Sequence, residues 1–239
     1  MSTMARTKQY YDLEEVQLSL YNDSKEGKVF KNLLEIILSD ENILLAYRTI
    51  KTNKGAKTKG TDKENILNLA EKEQAKFLDS IRKTLVNYKP HSVKRVWIPK
   101  ASGKLRPLGI PTIRDRLIQQ MFKQVIEPIC EAKFFNHSYG FRPLRSTHHA
   151  IARVQSLINI NKLHFTVDID IKGFFDNVDH NLLTKQLWNI GIRDKRVLAI
   201  IGKMLKAPIK GEGIPSKGVP QGGILSPLLS NIVLNDLDQ

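Results

Sequence analysis

Apolar residues recur at helical spacing through most of the first half of the chain. Residues 29–38 (VFKNLLEIIL) and 43–50 (ILLAYRTI) carry them at three- and four-residue intervals, and the Ser39-Asp40 pair between them predicts a stop and a cap. Residues 66–85 predict one long amphipathic helix. The period then changes. Val93, Arg95 and Trp97 alternate with Lys94, Val96 and Ile98, and Ala101-Ser102-Gly103 supplies turn chemistry, so 93–111 predicts a β-hairpin. A helix follows over 112–134, then an aromatic and basic loop, HSYGFRPLRSTHHA, leading into another helix. Residues 165–171 (FTVDIDI) alternate again and predict a buried strand. Asp179 is placed to cap a helix over HNLLTKQLWNIG, a further helix covers 196–205, and 206–218 predicts a short hairpin. The chain closes with a Gly-rich turn, GVPQGG, running into an amphipathic helix. Helices, hairpin, helices, strand, helices: the order is that of an α+β chain.

Charge narrows the class of partner. Against 24 Asp+Glu stand 38 Lys+Arg, a net +14 over 239 residues, and an excess of that size points to a polyanion. No apolar run reaches bilayer length, and the start, MSTMARTKQYYDLEE, lacks the apolar core of a secretory signal. The basic residues gather in loops and around strands rather than on an amphipathic helix, which favours nucleic acid over a membrane surface. One such loop is KTNKGAKTKGTDK (51–63), with Lys54, Lys57 and Lys59 and almost nothing apolar. It reads as mobile, either a solvated linker or a nucleic-acid contact. The single cysteine, Cys130, excludes an internal disulfide and a Cys-based zinc site, and reads as a packing residue of a cytoplasmic protein.

The candidate chemistry lies in FTVDIDIKGFFDNVDH. On a strand, Asp168 and Asp170 project to one face, about 7 Å apart, while Val167, Ile169 and Ile171 face a core. Burying an ionised carboxylate is costly unless it is paired, hydrogen-bonded or bound to a metal. An EF-hand reading from Asp168 fails, because Lys172 would occupy the third ligand position and the closing ligand would be Asp179 rather than Glu. Two solvated acids on an exposed sheet face are the bland alternative. A glycosidase pair fits a +14 protein poorly. Magnesium-assisted phosphoryl transfer on nucleic acid fits both the acids and the charge, since two such ions can clamp the attacking and leaving oxygens.

Five blocks together resemble the group II intron-encoded reverse transcriptase (maturase) family, in that family's order: ENILLAYRTIKTNKGAKTKGTD, RVWIPKASGKLRPLGIPTIRDRLIQQ, FFNHSYGFRPLRSTHHAI, VDIDIKGFFDNVDHNLL and GVPQGGILSPLLSNIVLNDLD. Any one alone, such as PQG, would be weak. The resemblance implies a right-hand polymerase fold: an N-terminal helical extension and fingers base over 1–90, fingers over 91–160, and a partial palm over 161–239. It makes Asp170 the catalytic aspartate and a magnesium ligand, assisted by the Ile171 carbonyl, and leaves Asp168 a neighbour. It assigns Lys104 and Arg106, with help from Lys100, to the incoming triphosphate. Phe175 becomes the ring under the sugar that excludes a 2′-hydroxyl. Gln221, with Pro220 and Gly222, touches nucleotide and template. Arg142 either contacts template or packs fingers on palm, and Lys54, Lys57 and Lys59 fall where the family meets template RNA.

The implied partners are an intron RNA template, a DNA primer and dNTPs, with Mg2+ as cofactor and no membrane. The implied activity is RNA-directed DNA synthesis together with assistance to intron splicing. Retron, diversity-generating or CRISPR-associated reverse transcriptases are the alternative, as is a truncated RNA-binding remnant without catalysis. The family's second metal motif, Tyr-x-Asp-Asp, is expected after the LNDLD helix, and the chain stops at Gln239 before those strands. With one acid of the set, these residues alone are expected to bind nucleic acid weakly and not to polymerise.

Overall fold

The computed structural model describes residues 12–70, 73–99, 103 and 105–239. The elements are α1 (Leu13–Lys25), α2 (Leu33–Ile37), α3 (Asp40–Thr52), α4 (Ile66–Ala70), α5 (Gln74–Val86), β1 (Lys94–Pro99), β2 (Leu105–Ile110), α6 (Ile113–Glu131), α7 (Thr147–Asn159), α8 (Phe174–Asn177), α9 (His180–Ile190), α10 (Lys195–Leu205) and α11 (Ser226–Asp238). Mixed α and β content is as expected, with β structure confined, among the described residues, to one antiparallel two-stranded sheet and isolated bridges. No helix among these residues is long and apolar enough to cross a membrane.

The organising element is α6. Thirteen of its 19 residues are buried, from Ile113 to Cys130, four of them polar or charged, and α1, α2, α3 and α11 pack onto it. Thr112 caps it, its hydroxyl accepting from the Asp115 N–H. Pro128 lies inside the helix and has no N–H to give to the Gln124 carbonyl. That carbonyl instead accepts from Gln17 Nε2 of α1 at 2.7 Å, and Ser24 Oγ donates to the Ile129 carbonyl at 2.8 Å. Two side chains of α1 thus satisfy backbone groups of the last turns of α6. Farther along, Gln124 donates to Asn42 Oδ1 at 2.7 Å and Asn42 donates to the Ile37 and Met121 carbonyls, a buried polar thread with its partners in place. One continuous apolar cluster runs from Leu20 through α6 to Val197, Leu229 and Ile232.

Several expectations need correction. The helix α1 is absent from the sequence reading, and the helix expected over 29–38 is only Leu33–Ile37, because the Phe30 backbone pairs with Gly191 and Arg193 instead. The helix expected over 66–85 is two helices, α4 and α5, flanking positions 71–72 outside the described residues. Ser39 does cap α3, accepting from the Asn42 N–H. The 51–63 loop is docked rather than mobile. Arg116 of α6 donates to the Gly55 and Thr58 carbonyls, Ala56 is buried, and a Cβ on Gly60 would stand 2.7 Å from Thr112 Cα. The hairpin expected over 206–218 reduces to bridges of Ile209 with Gly213 and with Val93.

The largest correction concerns residues 165–171, which form no strand. Among the described residues no segment pairs with them, and a strand exists only through a ladder. Val167 and Ile169 are 83% and 74% exposed, not turned to a core, and none of the residues of α7 before them is buried.

Candidate nucleotide-binding site

The hairpin forms in the expected register, with Trp97 opposite Pro107 and Ile98 opposite Arg106. Lys100 and Lys104, expected at its tip, lie outside the described residues. Its base is stitched to two other segments. The Val93 N–H donates to the Pro208 carbonyl at 2.7 Å, the Lys210 N–H donates back to Val93 at 3.0 Å, and the Gly109 N–H donates to the Gln221 carbonyl at 2.6 Å. The last bond requires close approach of two backbones. A Cβ on Gly109 would stand 2.6 Å from Val93 Cγ1, and one on Gly222, at φ 101°, would fall on the Gly109 carbonyl oxygen. The first glycine of PQGG is therefore a contact surface for the hairpin.

The segment 217–221 also docks on the turn that follows the acids. The Val219 N–H donates to the Phe175 carbonyl and the Gly218 N–H to the Val178 carbonyl, both at 2.7 Å, and His180 Nε2 lies 2.7 Å from the Gly218 carbonyl. A pocket of about 330 Å³ opens between these parts, walled by Arg95, Trp97, Phe175, Asp176, Pro220 and Gln221 among others. Three residues far apart in sequence are tied into one chain beside it. Arg106 Nε donates to Gln221 Oε1 at 2.8 Å, and Gln221 Nε2 donates to Asp176 Oδ1 at 3.1 Å. Asp176 thereby fixes which end of the amide faces the arginine. Across the pocket, Arg95 forks onto Glu212 at 2.7 and 2.6 Å, which holds the Glu212 carboxyl below its usual range and raises the arginine.

The structure thus gathers Arg106, Phe175, Pro220, Gln221 and Gly222 around one contact region. Phe175 is half-buried and meets Phe174 edge-on at 5.5 Å. Asp170 is exposed in the irregular segment before α8, and the Ile171 carbonyl accepts from the Phe174 N–H at 3.2 Å. Among the described residues no three His, Cys, Asp or Glu come together to hold a metal ion. Asp170 offers the hard oxygen that magnesium takes, but one carboxylate and one carbonyl already engaged do not make a two-ion site. Lys54, Lys57 and Lys59 point outward from the docked loop as exposed cations.

Arg142 lies inside the structure. Its side chain is 2% exposed, it forks onto Glu131 at 2.9–3.2 Å, and it donates to the Phe135 and Ser138 carbonyls. Its guanidinium also lies 5.2 Å from the centre of the Phe134 ring. With each of its side-chain nitrogens hydrogen-bonded and the side chain nearly out of water, it packs the 135–142 loop on α6, which favours the packing alternative over a template contact. Arg95, Trp97 and Asp176 were missed as wall residues. Arg95 and Trp97 stand two apart on β1 and so share a face, a signal present in the alternation; nothing local marks Asp176.

The chain belongs to the reverse transcriptase family: the family described as "Reverse transcriptase (RNA-dependent DNA polymerase)" matches residues 98–239. Among curated relatives, Protein YkfC of Escherichia coli (strain K12) is 41% identical over 217 residues, covering 87% of this chain and 56% of that protein. The group II intron-encoded protein LtrA of Lactococcus lactis subsp. cremoris is 39% identical over 227 residues, 93% of this chain and 37% of LtrA. The expected kinship with group II intron-encoded proteins is borne out. The chain spans about half or less of the length of these relatives. A solved structure described as a partial Cas6-RT-Cas1--Cas2 complex shares the fold, with TM-score 0.53 and 23% identity over 86% of this chain and 34% of that one.

Proposed function

We propose that this chain is the fingers and first palm segment of an RNA-directed DNA polymerase of the group II intron type, one that also assists splicing of its intron RNA. In this reading residues 1–90 are the N-terminal extension and fingers base, 91–160 the fingers and 161–239 the palm portion. The partners are intron RNA as template, a DNA primer and dNTPs, and the setting is the cytoplasm. The observation that carries the reading is that Gln221 and Phe175 wall one pocket while Arg106, from a third segment, is hydrogen-bonded to Gln221 beside it.

Each residue has a task its chemistry suits. Arg106, with Lys104 and Lys100, compensates the charge of the β- and γ-phosphates, which grows as pyrophosphate departs. Arg106 hands its hydrogen bond from Gln221 to the phosphate, and Gln221 is then free to meet the nucleotide and template beside Pro220 and Gly222. The Phe175 ring lies under the sugar and rejects a 2′-hydroxyl by size. Lys54, Lys57 and Lys59 neutralise template phosphates. Mg2+, when bound, would supply charge compensation for the transfer, and Asp170 with the Ile171 carbonyl would be the ligands this chain offers it.

Primer extension on an RNA template tests the reading. In an active polymerase that contains this chain, Asp170→Ala abolishes incorporation and leaves RNA binding intact, whereas Arg106→Ala mainly weakens nucleotide use. Normal extension by the Asp170→Ala protein would sink the assignment. The 239 residues by themselves are proposed not to polymerise, and dNTP incorporation by them would refute that.

A further inference from the structure

At the opposite end of α9 from the Gly218 contact lies a second cleft, of about 600 Å³, lined by Lys31, Asn32, Glu35, Trp188 and residues 193–196. It shares no wall residue with the nucleotide pocket, and the eight-residue step from His180 to Trp188 is about 12 Å of helix. The cleft is built rather than incidental. The Phe30 N–H donates to the Gly191 carbonyl and the Arg193 N–H donates to the Phe30 carbonyl, both at 2.8 Å. Gly191 takes φ 117° there, and a Cβ would stand 3.1 Å from the Lys28 carbonyl oxygen. Asp194 caps α10 through the Arg196 N–H and also accepts from the Leu34 N–H at 3.1 Å, so α2 and α10 meet on one carboxylate.

The electrostatics of this cleft are one-sided. Arg196 binds both acids in the wall, Glu35 at 2.7 and 2.9 Å and Asp194 at 2.8 and 3.0 Å. Among the described residues no carboxylate lies within ion-pair distance of Lys31, Arg193 or Lys195, and all three are exposed. Beside them the Trp188 indole is 37% exposed, and the Arg193 guanidinium lies over its ring, 5.4 Å from the ring centre. An indole and a guanidinium presented together form a platform for an unstacked base, and the lysines flanking it suit the phosphates on either side.

We propose that this cleft binds single-stranded RNA, stacking one unpaired base on Trp188 and Arg193 while Lys31 and Lys195 neutralise adjacent phosphates. The inference does not rest on the polymerase reading. An acidic peptide would satisfy the lysines but would leave the indole without a matching planar face.

The chain has two tryptophans, so a Trp97→Phe protein reports Trp188 alone. Titration with the oligonucleotide (rU)12 should quench that emission saturably, and a 12-base-pair RNA duplex, whose bases are already stacked, should not. In binding followed by fluorescence anisotropy of labelled (rU)12, Trp188→Ala should weaken affinity about tenfold while Trp188→Phe retains most of it. Lys31→Gln with Lys195→Gln should reduce the slope of log affinity against log salt by about 1.4, at about 0.7 per phosphate of a single strand. These side chains are exposed, so the variants are expected to keep the parent's circular dichroism and melting. Absence of quenching, equal quenching by the duplex, or an unchanged salt slope in the double variant would overturn the proposal. Quenching by polyglutamate matching that by RNA would do so too, and would assign the cleft to an acidic protein.

Discussion

Replacing Arg142 with alanine separates two roles that the sequence leaves open. The side chain is 2% exposed and its partner Glu131 14%, so the pair is largely out of water. Truncation leaves a nearly buried carboxylate without its counter-ion and removes donors from the Phe135 and Ser138 carbonyls. Breaking a buried pair from one side costs about 3–5 kcal/mol. For a domain of this size each kcal/mol shifts the melting temperature by about 2–4 °C, so a fall of roughly 6–20 °C is expected. Arg142→Lys keeps the charge but not the fork, and should fall between. Thermal unfolding reads the loss, and anisotropy with labelled RNA at several salt concentrations reads binding by whatever remains folded. A packing arginine leaves the salt slope unchanged. An Arg142→Ala protein that melts like the parent, yet has a slope shallower by about 0.7, would refute the structural reasoning and restore a template contact.

Other outcomes follow from the same geometry. Gly222→Ala forces a side chain into φ 101° and onto the Gly109 carbonyl, a strain on the order of 1–3 kcal/mol; the hairpin should loosen, seen as altered Trp97 emission and a lower melting temperature. Hydrogen bonds from Arg196 hold the Glu35 carboxyl below its ordinary 4.5. At Asp194 burial alone would raise the carboxyl, but bonds from Arg196 and the Leu34 N–H outweigh it and keep it below its ordinary 3.8. Depressed carboxyls stabilise the fold above their unfolded values and lose that contribution as pH falls through the folded ones. The urea midpoint of the parent should therefore exceed that of Arg196→Gln at pH 6, and the gap should shrink below about pH 4. A constant gap would refute the linkage. Burial pushes the Cys130 thiol up, so Ellman's reagent should leave it unmodified in the native protein and react once urea unfolds it.

Where a segment's fate depends on its own neighbours in sequence, the pattern was enough. The hairpin, the Ser39 and Asp179 caps and the long helix around α6 all follow from local period and local side chains. Two of the failures share one cause, which is partners distant in the chain. Phe30 leaves the helical pattern for a backbone bridge 162 positions away at Ile192, and the lysine-rich loop is tethered by Arg116 of another element. Residues 165–171 carry the composition of a strand, but composition supplies no ladder. In the site, residue types marked Arg106, Phe175 and Gln221 through resemblance, while the link through Asp176 appears only once the three segments meet.

Under the metal role proposed for Asp170, that unpaired segment makes cation binding a matter of linkage. Asp170 sits among Phe165, Val167, Ile169 and Ile171, all substantially exposed, so nothing in the described core dictates the shape of its surroundings. Any strand that completes a ladder with 165–171 and any cation held by Asp170 favour the same ordered state. Reciprocity then applies: the factor by which pairing raises cation affinity equals the factor by which the cation tightens the pairing. Under that role, metal titration would measure strand assembly, and strand assembly would measure metal affinity.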